Sequence, residues 1–368
     1  MNKTQQLHDL GQSLWLDNIT RLLLDDGTLC RYIDEFSITG LTSNPTIFDK
    51  AIANSSAYDD SIRAEANSEK SEEALFVELA LEDLRRAADL FRPVFAATDG
   101  ADGWVSMEVS PLLANDTAGS IEAAKRLHRQ ADRPNLFIKI PGTPEGIPAI
   151  EQAIFAGVPI NVTLLFSCEQ YIAAAEAYLR GIERRIAAGL DSRVSSVASL
   201  FVSRWDVAVS DHVSALLRNK LGIAIGARTY RAYRDLLVSP RWRRLEAAGA
   251  HPQRLLWAST GTKDPSASDT LYIEALSVPE TISTIPEQTL LAFAHHGRLN
   301  GAIAEDGKDA EAMLRRFADS GIDVDGLANE LQREGIHSFL KSWRQLMQRI
   351  FDKRKAFGDI GRQSVVRK

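Results

Sequence analysis

The chain has 368 residues, of which 45% are hydrophobic and 25% are charged, with a formal net charge of −6. This composition is typical of a globular protein with a large core, and the acidic balance argues against a nucleic-acid partner. The two cysteines, Cys30 and Cys168, fit neither a disulfide framework nor a zinc site. The length permits one large α/β barrel with additions or two smaller domains.

The N-terminal sequence MNKTQQLHDLGQ lacks the apolar segment of a signal peptide, and no later apolar run reaches the length of a membrane span. Because the cysteine content also fits a reducing compartment, we expect a cytoplasmic protein that does not bind membranes. The sequence makes no prediction about oligomeric state.

Short apolar or β-rich segments recur along most of the chain. They lie at 13–17, 37–42, 103–109, 135–140, 158–164, 194–201, 254–259 and 280–285. Between them, 71–91 carries a helical apolar stripe, and 143–157 begins with a threonine cap and ends on glycine. This alternation predicts parallel strands with helical crossovers, and eight such units favour a closed (β/α)8 barrel over an open sheet.

After about residue 300 the pattern becomes purely helical, with segments at 310–321, 324–335 and 337–357. No linker rich in proline, serine or glycine precedes them. We therefore predict a single domain over 1–368, in which 301–368 is a helical extension packed on the barrel.

A lysine interrupts the apolar run NLFIKI at 135–140. A charged amine loses hydration on burial, so Lys139 should be paired or neutral there. In one interpretation its head group reaches solvent or a carboxylate at the strand end. In the other, burial keeps the amine neutral so that it can attack a carbonyl. Strand alternation places Lys139 on the side of Phe137, and we assign that side to the barrel lumen.

Polar side chains suited to catalysis lie at the carboxyl ends of several predicted strands, where barrel active sites form. They are Asp17, Thr42, Asn44, Glu108, Lys139, Asn161, Thr163, Ser199 and Arg204. Structural explanations exist for Asp17 as a helix N-cap, Asn44 as a turn residue and Glu108 as a solvated strand edge. Together, two carboxylates, an amine and two amides around one opening match the needs of carbonyl addition with proton transfer.

Several segments resemble the signature regions of the transaldolase family and occur in the family's order. They are SLWLDNITR, ITGLTSNPTIF, VSMEVSPLLAND, NLFIKIPGTPEGIPAIEQA and INVTLLFS. The resemblance extends from about residue 13 to about residue 300. The segments KIPGTPEG and STGTKDP resemble the longer bacterial branch of the family, whose members carry additional helices.

The resemblance implies a role for each residue of the Schiff-base site. Lys139 corresponds to the Schiff-base lysine, Glu108 to an acid/base that works through a water, and Thr163 to the hydroxyl that holds this water. Asp17 corresponds to the carboxylate that takes the proton from the C4 hydroxyl of the donor as the C3–C4 bond breaks. The residues around the bound three-carbon unit correspond to Thr42, Asn44, Ser106 and Asn161.

The resemblance also implies a phosphate-binding end of the site. Ser199, Phe201 and Arg204 in SLFVSR fit this end, and a guanidinium suits a bidentate grip on phosphate. Many family members carry a second arginine after the next strand, where this chain reads ASTGTKDP. We expect Ser259 and Lys263 to take its place, with Lys263 as a point charge. The alternative for Lys263 is a solvated loop lysine.

Motifs for other cofactors and for metals do not occur. The chain has no G-x-x-x-x-G-K-[ST] loop, no strand-borne G-x-G-x-x-G and no H-E-x-x-H, and the adjacent His295 and His296 would point in different directions on a helix. We therefore predict no metal and no cofactor. Pyridoxal phosphate on a barrel lysine is disfavoured, because such an enzyme would not need this pair of carboxylates.

The resemblance implies a transaldolase of the pentose phosphate pathway. The enzyme would transfer a dihydroxyacetone unit between sedoheptulose 7-phosphate or fructose 6-phosphate and glyceraldehyde 3-phosphate or erythrose 4-phosphate. One alternative is a fructose-6-phosphate aldolase, which releases free dihydroxyacetone. The other is a non-catalytic protein of the same fold that binds sugar phosphates.

Overall fold

The computed structural model describes residues 2–299, 303 and 308–366. Its centre is a closed barrel of eight parallel strands in sequential order. The strands are β1 Ser13–Leu16, β2 Ile38–Thr42, β3 Trp104–Glu108, β4 Leu136–Pro141, β5 Ile160–Leu165, β6 Ser196–Phe201, β7 Gln253–Ala258 and β8 Thr281–Ile285. β1 pairs with both β2 and β8, which closes the barrel. The prediction of eight strands in a (β/α)8 barrel is confirmed.

One helix precedes β1, and the others fill the connections between strands or follow β8. They are α1 Lys3–Asp9, α2 Arg21–Asp25, α3 Thr28–Phe36, α4 Pro45–Asn54, α5 Asp59–Ala64, α6 Glu72–Ala97, α7 Thr117–Ala131, α8 Gly146–Phe155, α9 Cys168–Ala187, α10 Ser203–Val209, α11 Leu221–Leu237, α12 Pro240–Ala247, α13 Leu271–Ala275, α14 Glu287–His296, α15 Lys308–Asp319 and α16 Val324–Val366. Within the described residues, none of them is long and apolar enough to span a membrane.

Local sequence signals set where several helices begin. Ser71 caps α6 by accepting a hydrogen bond from a first-turn N–H, and Thr143 accepts one from the N–H of Gly146, the first residue of α8. Both helices therefore begin near their predicted N-terminal ends. α6 continues past the predicted end at residue 91 to Ala97, because its last turn still packs on the barrel, where Phe95 contacts Trp104 edge to face.

Aromatic side chains fill the barrel interior on the amino-terminal side of Lys139. The Phe137 ring stacks on Trp104 with centroids 3.9 Å apart and lies 6.1 Å from the Trp15 ring. Because β1 and β4 are not neighbours in the sheet, the contact between Trp15 and Phe137 crosses the interior. Phe137 and Lys139 therefore face the lumen, as the strand alternation predicts.

The C-terminal region differs from its prediction in one respect. Segments 324–335 and 337–357, expected as two helices separated at Gly335, form the single helix α16. Gly335 serves packing instead: a Cβ there would come within 2.8 Å of Leu164 Cδ2 and 3.4 Å of Arg204 Nη1. The glycine thus lets α16 approach the barrel closely.

α16 also packs against α4, α5 and α6. Of the predicted extension, residues 301–302, 304–307 and 367–368 lie outside the described residues.

Candidate active site

A cavity of about 690 Å³ opens at the carboxyl ends of the strands. Ten of the thirteen predicted site residues line it: Asp17, Thr42, Asn44, Lys139, Thr163, Ser199, Phe201, Arg204, Ser259 and Lys263. The other three, Ser106, Glu108 and Asn161, are buried and join this wall through an ion pair or hydrogen bonds. The barrel therefore brings all thirteen residues to one place, as expected when parallel strands end at one face.

Lys139 extends from β4 into this cavity and is 6% exposed. Its Nζ donates a hydrogen bond to the Ser43 carbonyl at 3.0 Å and lies 3.4 Å from Glu108 Oε2. The amine does not reach bulk solvent, so the solvent-reaching interpretation is wrong. It does meet a carboxylate, but this carboxylate is buried in the barrel with it. Such a pair has lost most of its hydration on both sides.

Glu108 ends β3 directly beside Lys139 in the strand register and is 8% exposed. The solvated-edge explanation is therefore wrong. Burial raises the pKa of Glu108, and the neighbouring Lys139 ammonium opposes this rise. Within the described chain, neither carboxyl oxygen of Glu108 has a hydrogen-bond partner, and the buried Thr163 Oγ1 also lacks one. Glu108 Oε2 still forms the ion pair with Lys139, whereas Glu108 Oε1 and Thr163 Oγ1 have neither kind of partner in the described part of the protein. Because buried polar atoms are normally paired, these two are available to a bound group.

Asp17 directly follows β1, lines the cavity and accepts a hydrogen bond from Thr42 Oγ1 at 2.9 Å. The N-cap explanation is wrong, because Thr20 caps α2 by accepting from the Leu23 N–H. Burial raises the pKa of Asp17, while Lys139 is the strongest influence that lowers it. The same amine therefore interacts with two carboxyl groups of raised pKa, which suits groups that both donate and accept protons.

An amide-hydroxyl network supports the floor of the cavity. Ser199 Oγ donates to Asn161 Oδ1 at 2.7 Å, and Asn161 Nδ2 donates to Ser106 Oγ at 3.2 Å. These bonds fix the orientation of the Asn161 amide. Asn44 caps α4 by accepting from the Ile47 N–H at 3.1 Å, and it also lines the cavity. Its local structural role therefore coexists with a place in the site.

Arg204 occupies the far end of the cavity, at the start of α10. Its guanidinium lies over the Phe201 ring, 5.3 Å from the centroid. Burial lowers the pKa of Arg204, and the Glu334 carboxylate of α16 opposes this shift. Among the residues that the structure describes, no carboxylate lies within ion-pair distance of Arg204. Nearby, the hydroxyls of Ser203 and Ser259 are 3.0 Å apart. This end therefore offers a cation and two hydroxyls to an anion.

Lys263 follows β7 on an exposed loop and lines the same cavity. Its charge contributes to lowering the pKa of Asp17, so it acts on the interior of the site. Because the side chain is also solvated, its assignment as a phosphate anchor stays a prediction.

Comparison with known proteins identifies the family. The family model described as transaldolase/fructose-6-phosphate aldolase matches residues 14–350. The chain belongs to this family. A transaldolase of Thiobacillus denitrificans is 43% identical over 358 residues, which cover 95% of this chain and 100% of the relative. A transaldolase of Thermobifida fusca is 44% identical over 94% of this chain and 96% of the relative. Transaldolase 2 of Nostoc punctiforme is 40% identical over 98% of this chain and 99% of the relative.

This member of the transaldolase/fructose-6-phosphate aldolase family has cavity residues that sequence reasoning missed. Four come from α16: Leu331, Glu334, Ser338 and Phe339. No periodicity in the sequence shows where a C-terminal helix docks. Ser43, whose carbonyl accepts from Lys139, could have been found because it directly follows a predicted strand. Over the described ranges, no group of three or more His, Cys, Asp or Glu side chains is placed to hold a metal ion.

Proposed function

We propose that this protein is a transaldolase of the pentose phosphate pathway, which moves a dihydroxyacetone unit from a ketose phosphate to an aldose phosphate. The main support is the buried Lys139 amine, which interacts with both Glu108 and Asp17 at the barrel mouth. Relatives named transaldolase, 40–44% identical over nearly the whole chain, add to this support. We further propose a cytoplasmic site of action for this enzyme.

In the first stage, Lys139 gives up its proton and the free amine attacks the C2 carbonyl of the ketose, and the resulting carbinolamine loses water to form a protonated Schiff base. Glu108 transfers protons in both steps through a water that Thr163 holds. Glu108 Oε1 and Thr163 Oγ1, which have no partner among the described residues, support this assignment, and the raised pKa of Glu108 suits a group that must both donate and accept protons.

In the second stage, Asp17 takes the proton from the C4 hydroxyl, the C3–C4 bond breaks, and its electron pair moves into the Schiff base to give an enamine. The aldose phosphate leaves. Asn44 and Asn161 hydrogen-bond the hydroxyls of the three-carbon unit, with Thr42 and Ser106 as their neighbours. An acceptor aldose then reverses these steps. The Asn161 amide is already oriented by its two hydrogen bonds, so little reorganisation is needed.

The phosphate of either sugar lies at the end of the cavity that carries Arg204. We assign its binding to Ser199, Phe201, Arg204, Ser259 and Lys263. Arg204 is the principal anchor, because its guanidinium is partly buried and no described carboxylate within ion-pair distance neutralises it. The Phe201 ring packs against the face of this guanidinium.

Borohydride reduction in the presence of fructose 6-phosphate tests the Schiff base, with mass spectrometry of the peptide that contains Lys139. We expect a dihydroxyacetone-derived adduct on Lys139 and none on Lys50 or Lys263, the other lysines of the cavity wall. Lys50→Met serves as the matched control and should retain the adduct. An adduct on a different lysine, or none despite turnover, would contradict the mechanism.

Release of free dihydroxyacetone separates transaldolase from fructose-6-phosphate aldolase. A transaldolase should convert fructose 6-phosphate rapidly only when erythrose 4-phosphate is present, because its enamine waits for an acceptor. Sustained accumulation of free dihydroxyacetone without an acceptor would support the aldolase. Sugar-phosphate binding without turnover in either assay would support the non-catalytic alternative.

We also propose that 1–368 forms one domain in which 301–368 packs on the barrel. The support is that α16 contacts α4, α5 and α6 and lines the catalytic cavity. Release of residues 301–368 as a separately folded fragment by limited proteolysis would contradict this.

A further inference from the structure

β5 departs from regular strand geometry within the catalytic site. The pairing of β5 with β6 shifts register between Val162 and Leu165. Leu164 has φ of 59°, in the left-handed region that side-chain-bearing residues rarely adopt. Thr163 lies inside this irregular segment and directly precedes Leu164. Such a conformation persists only when surrounding contacts hold it in place.

One of these contacts comes from α16. Gln332 is 8% exposed, and its Nε2 donates to the Gly142 carbonyl at 3.0 Å and to the Leu164 carbonyl at 2.9 Å. Gly142 directly follows β4, the strand that carries Lys139. A single buried amide group therefore bridges the ends of two catalytic strands, one with Lys139 and the other with Thr163.

The surrounding contacts strengthen this bridge. The Gly142 N–H donates to the Thr163 carbonyl at 2.7 Å, so the two strand ends are also joined directly. Three residues after Gln332, Gly335 faces Leu164 without a side chain, which lets the helix come close enough for the amide to reach both carbonyls. Leu331, the preceding residue, lines the catalytic cavity.

We propose that Gln332 is a positioning residue for Schiff-base formation. It holds the irregular segment of β5 in the conformation that directs the Thr163 hydroxyl into the site, and it links α16 to proton transfer by Glu108. The proposal rests on the function proposed above. Because Asp17 follows β1 and no hydrogen bond joins it to this bridge among the described residues, C–C cleavage should depend on Gln332 much less than adduct formation does.

Gln332→Leu tests the proposal, because leucine fits a helix and has no hydrogen-bond donor. Rapid-quench borohydride trapping with fructose 6-phosphate measures the rate at which the Lys139 adduct forms. Losing two hydrogen bonds to buried carbonyls should slow this step about tenfold or more. The kcat should fall accordingly, while KM for fructose 6-phosphate should change less than about threefold. The matched control Gln348→Leu, which removes an exposed bond to Asp352 on the same helix, should behave like the wild type.

Gln332→Glu provides a second variant if the leucine variant folds poorly. The ionised carboxylate would repel both carbonyls, whereas the protonated form can donate to one of them. Its adduct-formation rate, relative to the wild type at the same pH, should therefore recover as the pH is lowered, when both rates are measured where urea unfolding shows both proteins to be fully folded.

An adduct-formation rate at the wild-type level in a folded Gln332→Leu protein would overturn the proposal. A defect confined to KM or to thermal stability would also overturn it. If the wild-type protein itself formed no adduct on Lys139, the proposed function would fail instead. The two failures are thus distinguishable.

Discussion

Replacing Lys139 with methionine tests both the chemistry and the burial of the site. Methionine has a similar length and no charge, so the sequence alone predicts an inactive protein that still folds well. The structure predicts an additional loss of stability. Lys139 and Glu108 are 3.4 Å apart with side chains only 7% and 4% exposed, and the substitution leaves the carboxyl group without its cationic partner.

Removing one partner from a buried ion pair costs about 3–5 kcal/mol when the other stays charged. Glu108 can avoid this cost by binding a proton. Burial already raises its pKa, and Lys139 is the main influence that lowers it, so the substitution should raise the pKa further. A carboxyl group with a folded-state pKa above its unfolded value contributes stability below the unfolded value and loses it as pH rises through the folded one. The penalty should therefore grow from mildly acidic to alkaline pH.

Urea unfolding across this pH range measures the effect, with the free energy of unfolding compared among the wild type, Lys139→Met and Lys139→Met/Glu108→Gln. We expect the single variant to lose about 3–5 kcal/mol at about pH 8 and much less at about pH 5. The double variant should recover most of the loss, because no uncompensated charge remains. A single variant as stable as the wild type at alkaline pH, or a double variant no more stable than the single one, would refute the buried pair.

Three further predictions concern other parts of the protein. Arg204→Ala should lower kcat/KM for phosphorylated donors by about tenfold to a hundredfold, and Lys263→Ala should lower it by less. Both defects should shrink when the donor is fructose, which has no phosphate. If Lys263→Ala impaired both kinds of donor equally, Lys263 would serve the structure of its loop and not phosphate binding. In rapid-quench trapping, Glu108→Gln should slow adduct formation, whereas Asp17→Asn should accumulate the ketose adduct before C–C cleavage. If both variants accumulated the same intermediate in equal amounts, this division of roles would be contradicted. Burial raises the pKa of Asp206 from 3.8 to about 6. The stability that the protonated carboxyl group contributes is therefore lost as the pH rises through the folded-state value. In urea unfolding, the stability difference between the wild type and Asp206→Asn should therefore fall by about 2 kcal/mol from about pH 4 to about pH 7, and a constant difference would contradict the raised pKa.

The sequence by itself determined the barrel and the strand-derived part of the site. Strands of four to six residues and capped helices are encoded by local apolar periodicity and by caps such as Ser71 and Thr143. In a closed barrel of parallel strands, all carboxyl ends meet at one face. Residues as far apart in the chain as Asp17 and Arg204 could therefore be assigned to one site from their position near the end of a strand.

Only the tertiary structure decided how side chains from different elements meet. The 3.4 Å contact between Lys139 and Glu108 depends on the register of β3 and β4, which local pattern does not determine. The hydrogen bonds of Gln332 to two strand ends depend on the fit between a helix surface and strands far away in sequence. The close approach of α16 to the barrel at Gly335 depends on the same fit. Helix periodicity shows which face is apolar, but the surface that receives this face exists only once the barrel has formed.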